Sequence, residues 1–93
     1  MEEKIRLEIE EKIKNILISE LEINPSTLAA CNSNTPLLGR GIGLNSIETL
    51  TLVAGIEEGF DIQVDDADLT VDLFKDIGTL AEYVLQKITE RPL

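Results

Sequence analysis

The run GLNSIETLTLVAGIEEGF, residues 43–60, decides the fold. Ser46 is a preferred helix N-cap type, and acidic Glu48 suits the positive end of a helix, so a helix is expected from Ser46 to Phe60. At about 100° per residue, Leu50, Val53, Ile56 and Phe60 fall within an arc of roughly 120° and are expected to face a core. Ile47 and Ala54 lie on a different arc, shared with Thr51 and Glu58, and Glu48 lies further round on the polar side. Two apolar residues on an acidic face are either ordinary exposed side chains or part of a docking surface.

Upstream, residues 3–23 carry Ile5, Ile9, Ile13, Ile16, Leu17 and Leu21 at three- and four-residue steps, which predicts a first helix. Lys4, Lys12, Lys14, Glu8, Glu10 and Glu11 are read as solvated charges on its other faces. Asn24-Pro25-Ser26 is expected to stop it. The long connection of residues 24–45 is punctuated by Pro36, Gly39, Gly41 and Gly43. Leu37, Leu38, Ile42 and Leu44 mark it as a packed loop, not a linker. Downstream, residues 61–68 are acidic and turn-rich, residues 69–74 form a short helical piece, and residues 78–88 form a last helix capped by Thr79. The expectation is an all-α fold: a small four-helix bundle of three main helices and a short third one, with the long loop between helices one and two.

The 93 residues leave room for one domain, here taken as residues 1–93. With only Phe60, Phe74 and Tyr83 aromatic, the core must be aliphatic. Asp and Glu number 18 against 8 Lys and Arg, a net charge of −10 that repels nucleic acid and anionic membranes and favours basic protein surfaces. Glu48, Glu57, Glu58, Asp61, Asp65, Asp66, Asp68 and Asp72 lie between Arg40 and Lys75 without an intervening base. The chain has no histidine and one cysteine, Cys31. That closes Ser-His-Asp and Cys-His catalysis, thiolate metal sites and intramolecular disulfides. The amphipathic opening MEEKIRLEIEEKIK is neither a secretion signal nor a membrane span, so a cytoplasmic monomer is expected.

Gly43-Leu44-Asn45-Ser46-Ile47-Glu48 resembles the phosphopantetheine-attachment motif of acyl carrier proteins, usually Gly-x-Asp-Ser-Leu. Thr35-Pro36-Leu37-Leu38 is similar to the family's loop before the motif, and Ile56-Glu57-Glu58-Gly59-Phe60 to its Leu-Glu-Glu-x-Phe segment. Leu73-Phe74-x-x-Ile77-Gly78-Thr79-Leu80-Ala81 is similar to its lead into the last helix. The resemblance covers residues 3–88. It implies a non-catalytic carrier of acyl or aminoacyl groups, held as thioesters on phosphopantetheine. The arm, taken from coenzyme A by a phosphopantetheinyl transferase, would be attached to Ser46. Acyl-activating, condensing and other acyl-processing enzymes of fatty acid, polyketide or related biosynthesis would be the further partners. Asn45 stands where the family has an aspartate that the transferase reads.

A phosphodiester on Ser46 would sit in the field of a helix N-terminus, and the arm would project from an exposed corner. The plainer reading is that Ser46 is only a cap. Asn45, Ile47, Glu48, Thr51, Ala54 and Glu58 are expected to meet partners. One alternative is an unmodified acidic helical adaptor. Another is a calcium loop beginning Asp61-x-Gln63-x-Asp65, which has Asp66 and Asp72 where such loops need Gly and Glu.

Overall fold

The first expected helix is α1 (Glu2–Leu21) in the computed structural model, which describes residues 2–90. The ends of the expected domain, residues 1 and 91–93, lie outside the described residues. Then come α2 (Pro25–Ala29), α3 (Ser46–Phe60), two 3-10 turns (Asp66–Asp68 and Val71–Phe74) and α4 (Ile77–Thr89). No strand occurs among the described residues. The fold is all-α, with three long helices and a long connection before α3.

α1 packs against both α3 and α4. It buries Ile9, Ile13, Ile16 and Leu17, each worth about 1.5–3 kcal/mol relative to exposure. Two residues differ from the expected stripe. Ile5, in the first turns, stays exposed. Glu10, read as a solvated charge, is only 4% exposed. Its carboxylate accepts from Arg6 Nη1 at 2.8 Å, and Ser33 Oγ lies 2.8 Å from each of its oxygens, so its burial is compensated.

α1 ends because Glu22 turns left-handed at φ 54°. The Glu22 and Ile23 N–H groups then close back on the carbonyls of Ile18 and Leu17, as in a Schellman motif. Asn24-Pro25 does not merely stop α1; it opens α2. Asn24 Oδ1 accepts from Ser26 N at 2.9 Å, and proline occupies the first turn, where its missing N–H costs nothing.

The buried side of α3 is Leu52, Val53, Gly55, Ile56 and Phe60. Leu50, expected in the core, is 61% exposed, and Leu52, not in the expected set, is fully buried. The cause lies at the two glycines. A Cβ on Gly55 would come 2.7 Å from Ile16 Cγ2, and one on Gly59 would come 3.2 Å from Ile16 Cδ1. α1 therefore packs tightly over Gly55 and Gly59, an orientation of α3 that places Leu52 inward and Leu50 outward.

α3 ends at Asp61, left-handed at φ 54°. α4 begins one residue earlier than expected, and its cap is Asp76, whose Oδ1 accepts from Thr79 N at 2.7 Å. Thr79 receives the cap instead of providing it.

Candidate functional site

The loop before α3 is held by its own leucines and by α4. Leu37 and Leu44 are buried, and Leu44 N donates to Leu37 O at 3.0 Å. Ile42 N donates to Pro36 O at 2.9 Å. Gly41 sits so close to this turn that a Cβ on it would lie 1.8 Å from the Pro36 carbonyl oxygen. From the other side, Ile77 N and Gly78 N, at the start of α4, donate to Thr35 O and Ser33 O at 3.1 and 2.8 Å. The connection thus delivers Asn45 to a fixed place.

Asn45, not Ser46, is the N-cap of α3. Its Oδ1 accepts from Glu48 N at 2.8 Å, and Glu48 Oε1 accepts from Asn45 N at 3.0 Å, a reciprocal capping box. Asn and Ser are near-equal caps; the carboxylate three residues after Asn45 selects it. Ser46 becomes the first helical residue. It is exposed, and its hydroxyl makes no hydrogen bond among the described residues. The Ser46 and Ile47 N–H groups are also without acceptors there, as expected for a first helical turn.

Beside Ser46 lies a groove of about 540 Å³. Leu44, Ser46, Thr49, Leu50 and Val53 form one side, Leu69, Thr70, Val71 and Phe74 the other, with Leu38 and Asn45 also lining it. No charged side chain lines it. Val71 is 75% exposed at its rim.

The expected partner residues share the surface of α3 next to this groove. Ile47 is 76% exposed, Asn45, Ala54 and Glu58 are exposed, and Thr51 and Glu48 are half-buried. Thr51 Oγ1 donates to Ile47 O, and the Glu48 carboxylate serves the cap. Leu50 joins this surface, a residue that the helical wheel had assigned to the core.

The acids downstream are less free than their run in sequence implies. Lys87 Nζ, on α4, lies 3.0 Å from Asp65 Oδ2, and Tyr83 Oη donates to Asp68 Oδ2 at 2.7 Å. Glu57 Oε2 accepts from Val64 N at 2.9 Å. Partners in space, distant in sequence, carry part of the compensation. Among the described residues no three of His, Cys, Asp and Glu gather as a metal site. No helix among the described residues is long and apolar enough to cross a membrane.

A family model described as a phosphopantetheine attachment site matches residues 11–84. No solved structure matches the chain. The residues present fit a phosphopantetheine arm: Ser46 offers an exposed, unbonded hydroxyl, the N–H groups of Ser46 and Ile47 are without acceptors at the helix start, and an uncharged groove opens alongside. With the match covering most of its length and reaching into every long helix, the chain belongs to the phosphopantetheine-attachment carrier family, whose members receive the arm from a transferase, serve acyl-processing enzymes and are not themselves catalysts.

Proposed function

We propose that Ser46 Oγ is the attachment point and that the whole chain acts as one carrier domain in the cytoplasm. The observation that carries this is the unbonded Ser46 hydroxyl at the first turn of α3, beside an uncharged groove. Phosphopantetheine, once attached, supplies a terminal thiol on a flexible arm that holds cargo as a thioester. Ser46 Oγ forms the new P–O bond to the pantetheine-bearing phosphate of coenzyme A. The pyrophosphate link breaks, adenosine 3′,5′-bisphosphate leaves, and the serine proton passes to a base of the transferase. The chain itself has no histidine to take it. The Ser46 and Ile47 N–H groups and the helix dipole favour the phosphodiester left behind.

The groove favours an aliphatic acyl cargo, as in fatty acid, polyketide or related biosynthesis, over an aminoacyl group, whose ammonium would find no counter-charge there. Asn45, Ile47, Glu48, Thr51, Ala54 and Glu58, joined by Leu50, form the docking surface. The acids steer basic enzyme surfaces, while Ile47, Leu50 and Ala54 supply a short apolar contact that releases easily. Glu58 is the clean test of steering, because Glu48 also holds the cap. Reversing the charge of Glu58 should slow association with a partner enzyme, and the loss should shrink as salt rises.

Asn45, in place of the family's aspartate, favours a second reading, the unmodified adaptor. One assay separates the two: incubation with coenzyme A and a broad-specificity transferase, followed by mass spectrometry. The expected result is one phosphopantetheine per chain and none on the Ser46→Ala variant, which should keep its helical spectrum. Modification of that variant would falsify the assignment, and an unmodified native chain would favour the adaptor.

A further inference from the structure

We propose that Tyr83 and Lys87 set the width of the groove beside Ser46, and so the length of acyl chain it accepts, by holding residues 65–71 from behind. The inference rests on the reading of Ser46 and the groove given above. Leu69, Thr70 and Val71 form the groove wall facing α3. This wall is thinly held. Its backbone bonds are local: Asp68 N to Asp65 O, Leu69 N to Asp66 O and Thr70 N to Asp68 O. Short 3-10 turns of this kind have poor hydrogen-bond geometry and resist little by themselves. Between the buried anchors Val64 and Leu73, only half-buried Leu69 packs against the core.

The polar ties come from α4. Tyr83 Oη reaches Asp68 Oδ2 at 2.7 Å, and Lys87 Nζ reaches Asp65 Oδ2 at 3.0 Å. The Lys87 ammonium also lies 5.5 Å from the centre of the Tyr83 ring, so the two side chains act as one latch. The Tyr83 bond is part-buried and charge-assisted and carries more than the exposed Lys87 pair. Neither residue lines the groove, so both are positioning residues acting through the wall.

The test uses Tyr83→Phe, which keeps the ring packing and removes only the hydroxyl, Asp68→Ala, which removes its acceptor, and Asp68→Asn, which keeps one. Amide exchange at Leu69 and Thr70 should quicken roughly fivefold in the first two, the loss of about one hydrogen bond, and should stay near the native rate in Asp68→Asn. A broad-specificity transferase then loads Ser46 from straight-chain acyl-coenzyme A of increasing length, and NMR follows the Val53 methyl shifts. In the native protein the shifts should level off at a limiting chain length. That limit should move to longer chains in Tyr83→Phe and Asp68→Ala and return in Asp68→Asn. Unchanged exchange, or faster exchange with an unchanged limit, overturns the latch while leaving the groove reading in place. Native Val53 shifts that respond to no chain remove the groove reading, and the latch with it.

Discussion

Asn45 does two things at once, and substitution separates them. Asn45→Ala should cost about 1 kcal/mol in chemical denaturation, because Glu48 N loses its acceptor. Asn45→Asp keeps the acceptor and adds charge at the positive end of α3, so stability should hold or rise by a few tenths of a kcal/mol. The same change restores the family's aspartate and should raise the initial rate of modification by a transferase serving ordinary carriers. Equal rates at matched salt would show that Asn45 is no recognition defect. Tyr83 makes a second prediction. Burial, then the hydrogen bond to Asp68, raises its hydroxyl above the ordinary tyrosine value. The neutral form is thus favoured in the folded state, so its contribution is complete below about pH 10 and is lost as pH climbs through the raised value. Lys87, raised by its bond to Asp65, loses its charge in the same direction. Ultraviolet titration of the single tyrosine should show a late midpoint, lowered in Asp68→Ala. At this scale the place of Ser46 at the start of α3 was legible from the sequence around it. The cap was not read because Asn45-Ser46 offers two adjacent residues of near-equal preference, and only the Asn45-x-x-Glu48 spacing distinguishes them.

Among elements, α3 carries the sharpest contrast. Leu52→Ala should destabilise by roughly 2–5 kcal/mol, whereas Leu50→Ala should stay within about 0.5 kcal/mol in the same urea titration. The reverse order would mean that α3 is rotated from the position described. Gly55→Ala should also destabilise, although alanine is the better helix former by about 1 kcal/mol, because its methyl would press on the Ile16 branch. The periodicity of α1, α3 and α4 was visible in sequence because long amphipathic runs leave little freedom. On α3 the burial of Val53, Ile56 and Phe60 was legible, but Leu50 was taken for Leu52 because a wheel weights side chains, and α1 packs tightly here where side chains are missing. α2 was hidden for a different reason: proline after asparagine reads as a stop, yet the same pair is a good start.

At the scale of the molecule, a net charge of −10 still dominates, even though α4 compensates part of the acidic run. The melting temperature should therefore rise from low to moderate salt as repulsion is screened. A flat response would mean that pairs such as Lys87–Asp65 lose as much as the repulsion yields. The packed loop was legible from its leucines, but its fastening to Ile77 and Gly78 was not, since nothing local in sequence reports a bond between backbones so far apart. That fastening bears on the order of synthesis. Ser46 emerges from the ribosome before the residues that steady its loop, which lie later in the chain. Ribosome-stalled chains exposing α3 but not α4 should resist the transferase, although they display the whole motif. The arm would then be given only to copies whose α4 has docked, and its attachment would double as a check that this helix is in place.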